Sequence, residues 1–313
     1  MLAIFNIIAR FFTIWVILVC LVAYLWPAPF LPLAKYTTYG LGLIMLTMGM
    51  TMKLDDFKLV FSKPKDIIFG MVLRYAAMPA VAWGVAMGLN LPPSLAAGII
   101  LVGCCPSGVS ANVMTFLSKG DTALSVTVCS LNTIIAPALT PALFFLIAGS
   151  LTPVDKVGMI IDVFKVVLLP VGIGLFLNVK IPNQIDKIRA YLPGLTTVIM
   201  IGVISAGIAL NAKNLATVAL IAFVAVALLN GVGYLCGYFG ARLFGMNLYK
   251  SKAITYAVGM ENSSLAMVLA LAHIDPVAAL PGAIYSMWHN ITGSILATFW
   301  ARSAEKSDRN ISA

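Results

Sequence analysis

Gly103-Cys104-Cys105-Pro106-Ser107-Gly108-Val109-Ser110-Ala111-Asn112 interrupts the apolar run 94–118 near its middle. Proline removes a backbone donor and crowds the preceding turn, and the flanking glycines loosen the helix further. A second interruption, Val258-Gly259-Met260-Glu261-Asn262-Ser263-Ser264, lies inside the apolar run 250–273. It has no proline, but it sets a carboxyl group and three polar side chains in the middle of the run. If these runs cross a membrane, the unwound backbone must be buried in protein or line a wet cavity.

The rest of the chain says that they do cross. Of 313 residues, 61% are hydrophobic and 10% charged, against about 25% charged in a soluble domain. Such a chain cannot cover itself with polar surface, so its natural partner is the lipid bilayer. A spanning helix takes roughly 20 apolar residues. Apolar runs fall at 11–26, 37–52, 66–88, 94–118, 121–148, 157–178, 191–210, 215–243, 250–273 and 277–301, separated by turn signals such as Leu91-Pro92-Pro93 and Ile181-Pro182-Asn183. Residues 11–26 lack a small-residue cleavage site and are followed by many more apolar runs, so they read as the first span and not as a signal peptide. The expected fold is an all-α, polytopic membrane protein of ten transmembrane helices with a polar cytoplasmic tail, 303–313, lacking regular structure.

A net charge of +9 would suit nucleic acid in a soluble protein. In a membrane protein it reflects lysine and arginine collecting in cytoplasmic loops, and no nucleic-acid partner is expected. With ten spans, fifteen of the twenty basic residues, among them Arg10, Lys58 and Lys252, fall on the side of both termini. Lys35, Lys156 and Lys213 fall opposite, and Arg74 and Lys165 lie within spans. Both termini are therefore expected to be cytoplasmic.

A shift of 156 residues lays the chain on itself: Leu73 meets Leu229, Gly84 meets Gly240, Val102-Gly103 meets Val258-Gly259, Ser107 meets Ser263 and Ala123-Leu124 meets Ala279-Leu280. Both fourth-in-half spans are broken at the same register. Residues 1–150 and 151–302 then form two five-helix repeats, and an odd number of spans per half inverts one against the other. Inverted repeats with discontinuous helices bind their cargo near the repeat interface. Half-helices starting near Gly108 and Asn262 would aim N–H groups and a positive dipole end at the gap, which suits an anion.

Glu261 is the acidic residue deepest in a span and Arg74 the deepest base. A charge at mid-membrane is costly and a functional candidate; the two are expected to pair, with snorkelling of Arg74 to the cytoplasmic face as the competing reading. Asp162 and Lys165, three apart, are expected to pair along one helix. His273 is expected at a span end, and His289, in Trp288-His289-Asn290, either relays protons or packs. Five cysteines, Cys20, Cys104, Cys105, Cys129 and Cys236, have neither zinc spacing nor the even count of a disulfide framework. No nucleophile with a nearby base, metal cluster or cofactor motif occurs, so an enzyme is not expected. The sequence carries no signal for oligomeric state, transport direction or substrate identity.

Several motifs together resemble the bile acid:sodium symporter family over nearly the whole chain: Leu101 to Gly108, Asn112-Val113-Met114, Gly120 to Val126, Val258-Gly259-Met260, Asn262-Ser263 and Leu280 to Asn290. The resemblance implies a panel of spans 1, 2, 6 and 7, a core of spans 3–5 and 8–10, and crossing of the unwound centres of spans 4 and 9. It also implies an elevator-like shift of core against panel, in the inner membrane of a bacterium. The candidate substrate-binding residues are Gly108, Val109, Ser110, Asn112, Asn262, Ser263, His289 and Asn290. For the family's sodium sites the resemblance implies Asn112 and Ser125, but Ala111, Cys129 and Ala257 stand where oxygen ligands are usual. At the second site Val258 and Met260 offer backbone oxygens, while Glu261 and Arg74 replace glutamines. The expected function is secondary transport of a small organic anion, bile-acid-like or pantoate-like, with Arg74 standing in for sodium as a tethered cation and proton coupling through Glu261. The alternatives are a sodium-coupled symporter with a remodelled site, an arsenite-type efflux carrier using Cys105 or Cys129, and a channel.

Overall fold

A computed structural model describes residues 12–53, 62–152 and 154–312. Arg10 and Lys58, counted above on the side of the termini, and Pro153 lie outside them. The described residues form fourteen α-helices: α1 (Phe12–Leu25), α2 (Thr37–Thr51), α3 (Pro64–Gly88), α4 (Pro93–Cys104), α5 (Ser110–Leu117), α6 (Thr122–Ala148), α7 (Lys156–Val163), α8 (Leu169–Lys180), α9 (Pro182–Arg189), α10 (Leu192–Leu210), α11 (Ala212–Leu243), α12 (Leu248–Gly259), α13 (Ser263–His273) and α14 (Pro276–Ser312), with a 3-10 helix, Leu31–Tyr36, between α1 and α2. A π turn, Phe164–Leu168, joins α7 to α8.

Among the described residues, Pro64–Gly88, Thr122–Ala148, Lys156–Lys180, Leu192–Leu210 and Thr217–Leu243 are single helices long and apolar enough to cross a membrane. Pro93–Cys104 and Ser263–His273 are apolar but too short to cross alone, because each is one half of an interrupted run. Helices suit lipid because they satisfy their own backbone groups. Proline recurs inside α3, α6 and α14 at Pro79, Pro137, Pro141 and Pro281, which long spans tolerate where neighbours re-satisfy the freed carbonyls.

The helices pack in two groups. In one, α2 lies along α8, and α10 lies along α1 and α2. In the other, α11 packs on α12, α3 and α14, while α4 packs on α3 and α14. The second group is also tied at one end by charge: Lys250 Nζ meets Asp66 Oδ2 at 2.6 Å, and Lys63 Nζ meets Asp121 Oδ2 at 3.5 Å. Asp121 and Asn247 cap α6 and α12 by accepting from the backbone N–H groups of Leu124 and Lys250, so these helices begin where the sequence supplies a short polar acceptor.

Three expectations need correction. The tail 303–313 was expected to lack regular structure, but α14 runs on to Ser312; Ala301-Arg302-Ser303-Ala304-Glu305-Lys306 offers several good helix formers. Lys252, counted with the cytoplasmic loops, is buried on α12, where its Nζ donates to Ser118 O at 2.7 Å at the C-terminal end of α5. Asp162 does not pair with Lys165. The π turn beginning at Phe164 takes an extra residue per turn and breaks the three-residue spacing, and Asp162 reaches His273 on α13 instead.

Candidate functional site

The two interruptions meet. Gly108 N–H donates to Met260 O at 2.7 Å and Asn262 N–H donates to Pro106 O at 2.8 Å, making an isolated antiparallel bridge between Ser107 and Glu261. Each break supplies the backbone partners that the other has lost, which is how unwound chain is held away from water. The contact is close: a Cβ on Gly108 would stand 2.7 Å from Glu261 O, so glycine is required by proximity. The N–H groups of Gly108 and Asn262 are thus engaged by the bridge, and the half-helices begin slightly later than expected, at Ser110 and Ser263. Asn262 caps α13 by accepting from Leu265 N–H at 3.2 Å.

Arg74, from the middle of α3, enters at the C-terminal end of α4. Its Nη1 donates to Gly103 O at 3.0 Å, and its Nη2 donates to Cys105 O and to Glu261 Oε2. Both side chains of the ion pair have no exposed surface, so the snorkelling alternative is overturned. The carbonyl end of a half-helix is the negative end of its dipole, and two backbone carbonyls plus a carboxylate make a cation's surroundings. The guanidinium fills them. A charge at helix centre costs about 2.5–3.5 kcal/mol on insertion scales, and the paired geometry offsets it.

Around this pair lies a second polar layer. Asn132 on α6 donates to Ser107 Oγ at 2.9 Å, Ser107 Oγ donates to Ala257 O, and Tyr75 OH donates to Asn132 O at 2.8 Å. Ser125 Oγ donates to Asn112 Oδ1 at 2.9 Å and accepts from Thr115 at 3.1 Å. Cys129 lies buried against Ser107 and Ser125. On the other flank, Gly259 O accepts from Asn230 Nδ2 and from Tyr285 OH, both at 2.8 Å. Thr292 ties Asn230 to α14. Ser110 Oγ and His289 Nε2 stand 3.4 Å apart. Ser263 and Ser286 share a hydrogen bond of 2.7 Å, and Asn290 donates back to Ser286 O.

The residues singled out from the sequence therefore gather at the crossing. Arg74 pairs with Glu261, Gly108 bonds Met260 and Asn262 bonds Pro106; Ser110, His289, Ser263 and Asn290 lie on the α14 side; Asn112, on α5, bonds Ser125 on α6, beside Cys129. Val109 is half-buried at the start of α5, and Val258 is buried in the last turn of α12. Sequence reasoning missed Asn132, Tyr75, Asn230, Tyr285 and Lys252. Two had a readable signal: the 156-residue shift lays Arg74 on Asn230, and polar side chains in apolar runs are costly unless bonded. Four buried polar atoms here, Glu261 Oε1, Arg74 Nε, Asn132 Oδ1 and His289 Nδ1, have no hydrogen-bond partner among the described residues; a bound ligand, ion or proton would satisfy such atoms.

A sodium ion needs several oxygen ligands. Near Asn112 and Ser125 the hydroxyl and amide oxygens are engaged with one another, and a thiol and two alanines, Ala111 and Ala257, contribute no side-chain oxygen. At the α4 end the guanidinium holds the carbonyls.

The family model described as "Sodium Bile acid symporter family" matches residues 38–218. The uncharacterized sodium-dependent transporter YocS of Bacillus subtilis (strain 168) is 43% identical over 295 residues, 94% of this chain and 92% of that protein. The probable chloroplastic sodium/metabolite cotransporter BASS1 of Arabidopsis thaliana is 38% identical over 297 residues, 94% of this chain and 74% of that protein. The probable chloroplastic sodium/metabolite cotransporter BASS2 of Oryza sativa subsp. japonica is 34% identical over 304 residues, 94% of this chain and 71% of that protein.

Proposed function

We propose a function from one premise: the chain belongs to the sodium bile acid symporter family. It is a multi-pass membrane transporter of a small molecule and not an enzyme. It carries a small organic anion, a carboxylate, across the bacterial inner membrane by alternating access, with both termini cytoplasmic. The ten spans form two inverted repeats. Spans 1, 2, 6 and 7 make the panel, and spans 3–5 and 8–10 make the core that moves against it.

The observation that carries this reading is the Arg74 guanidinium held by Gly103 O, Cys105 O and Glu261 at the crossing. Arg74 and Glu261 both belong to the core, so the pair travels with it unbroken. It gives the site a fixed cation where a sodium-coupled relative would need a mobile one. The anion is drawn to the first turns of α5 and α13, where Val109, Ser110, Ser263 and Ser264 offer N–H groups not used by the bridge. His289 stands at this region through Nε2, 3.4 Å from Ser110 Oγ, and its Nδ1 is buried and unpartnered. Glu261 Oε1, also unpartnered, is where a coupled proton resides.

A second reading is favoured by the oxygens of Asn112, Ser125 and Thr115 and by relatives named as a sodium-dependent transporter and sodium/metabolite cotransporters: sodium-coupled transport through a remodelled site. Thermal-shift screening of small carboxylates, keto acids and hydroxy acids first, identifies the cargo. Uptake of that cargo by proteoliposomes then separates the readings. Sodium-independent uptake that loses its pH dependence in Glu261→Gln supports the proposal. Unchanged transport and pH dependence in both Glu261→Gln and Arg74→Gln removes the pair from the mechanism.

A further inference from the structure

We infer that Lys252 is a positioning residue for the anion site: it clamps the far end of α5 and so keeps the first turn of that half-helix aimed at the cargo. The inference rests on the anion-binding reading given above.

Of the two half-helices whose first turns receive the anion, α13 is buried from Ser263 to Ala270. The other, α5, is held less completely. It has eight residues, about 12 Å of helix, and a helix that short does not keep its shape unaided. Val113, Phe116 and Leu117 leave one of its faces exposed. Its aim is therefore set by what grips its two ends. The bridge from Gly108 N–H to Met260 O grips the first. At the second, the chain turns with Lys119 at φ +55°, a left-handed conformation usually given to glycine. Lys119 N–H donates to Phe116 O at 3.0 Å and Gly120 N–H to Thr115 O at 2.8 Å. The turn leaves Ser118 O for Lys252 Nζ, which reaches it from α12 at 2.7 Å. Glycine stands one residue after Lys119, where a Cβ would lie 3.2 Å from Lys252 Cβ. Asp121 N–H donates to Tyr249 O at 3.0 Å, so backbone and side chain pin the same corner to the start of α12.

The charge matters as well as the reach. Lys252 is 1% exposed, and among the described residues no carboxylate pairs with it. The rings of Tyr249 and of Trp300, on α14, lie 5.9 and 5.8 Å from its ammonium, within cation–π range. By packing alone, a methionine would fill this space without the cost of burying a charge. What the ammonium adds is a cation at the carbonyl end of α5, the negative end of its dipole, where positive charge stabilises a helix. Through Trp300 the same side chain joins α14 to the clamp. The half-helix is thus held at the bridge and at Ser118, and its free N–H groups near Val109 and Ser110 keep a fixed direction.

Hydrogen exchange in reconstituted full-length protein tests the clamp without any cargo. Lys252→Met is expected to speed exchange across residues 110–118 roughly five- to thirtyfold, the range for a partly buried cation at a helix end, and to leave 263–273 unchanged. Lys252→Arg, which keeps the charge, should return 110–118 to the wild-type rate. Equal exchange in Lys252→Met and wild type, or acceleration spread evenly over both segments, overturns the inference. Uptake of the carboxylate identified by thermal shift then reads the consequence for the site: KM should rise by a like factor in Lys252→Met with Vmax little changed, and Lys252→Arg should restore it. A fall in Vmax at unchanged KM makes Lys252 merely structural and overturns the positioning role, with the functional reading intact. Faster exchange across 110–118 in Lys252→Met, in a protein whose wild type carries no carboxylate, keeps the clamp and overturns that reading. Lys252→Gln, which drops the charge and keeps a polar head, takes the place of Lys252→Met if the latter does not reach the membrane.

Discussion

Arg74 and Asn230, 156 residues apart, make like contacts: Arg74 Nη1 donates to Gly103 O at 3.0 Å, and Asn230 Nδ2 donates to Gly259 O at 2.8 Å, in each case 29 residues further on. The two glycine carbonyls end α4 and α12 just before their breaks. The first carbonyl meets a charge, the second a neutral amide. Glu261 lies against the charged side only. The crossing is thus polarised, and the polarity is set by one residue of a related pair.

This asymmetry fixes the energetics of the ion pair. Removing one member of a buried pair costs about 3–5 kcal/mol, because the partner is left uncompensated, while replacing both is often near neutral. Arg74→Gln and Glu261→Gln should each lower the melting temperature of the detergent-purified protein, and the double variant should melt above either single one. Additive losses in the double variant would mean that the two side chains do not act as a unit.

If the guanidinium stands in a cation's place, removing it should let a cation in. Arg74→Gln keeps Gly103 O, Cys105 O and the Glu261 carboxylate and withdraws the positive charge. Sodium should then raise the melting temperature of this variant relative to choline at equal ionic strength, by mass action on the folded state, and should leave the wild type unmoved.

The neutral counterpart should matter less. Gly259 O keeps Tyr285 OH when Asn230 is lost, so Asn230→Ala forfeits two hydrogen bonds, to Gly259 O and from Thr292, of about 1 kcal/mol each, and strands no charge. Its melting temperature should fall by less than that of Arg74→Gln.

The bridge between the breaks is a backbone structure and should fail to a single methyl group. Gly108→Ala sets its Cβ against Glu261 O and the adjoining carbonyl carbon at 2.7 and 3.1 Å, backbone atoms that cannot turn aside as a side chain would. The variant should reach the membrane in normal amount, since most of the apolar surface is unaffected, and lose more than tenfold in uptake. Near-normal uptake would show that the crossing tolerates separation of the two breaks.

Much of this was legible in the sequence because lipid imposes strict rules. Apolar runs, the Pro106 break and the lone deep charges at Arg74 and Glu261 are conspicuous against a background of leucine, valine and alanine, and the pairing of the two charges follows from the cost of leaving either alone. What the sequence concealed depends on long-range contact. Nothing local links His273 to Asp162 across 111 residues, and a three-residue spacing points Asp162 to Lys165 unless the π turn is known. Lys252 reads as a loop cation by its place in the chain, yet it turns inward to cap α5. Asn132 and Asn230 are single amides in apolar runs, and only the folded arrangement gives them Ser107 and Gly259 as partners.

The central claim is that Arg74 serves as the built-in cation of the anion site. Initial uptake of the carboxylate identified by thermal shift, measured in proteoliposomes with a sodium gradient and with sodium replaced throughout by choline, tests it most directly. Equal rates in the wild type, with sodium stimulation appearing in Arg74→Gln, are predicted; a strict sodium requirement in the wild type would contradict the account.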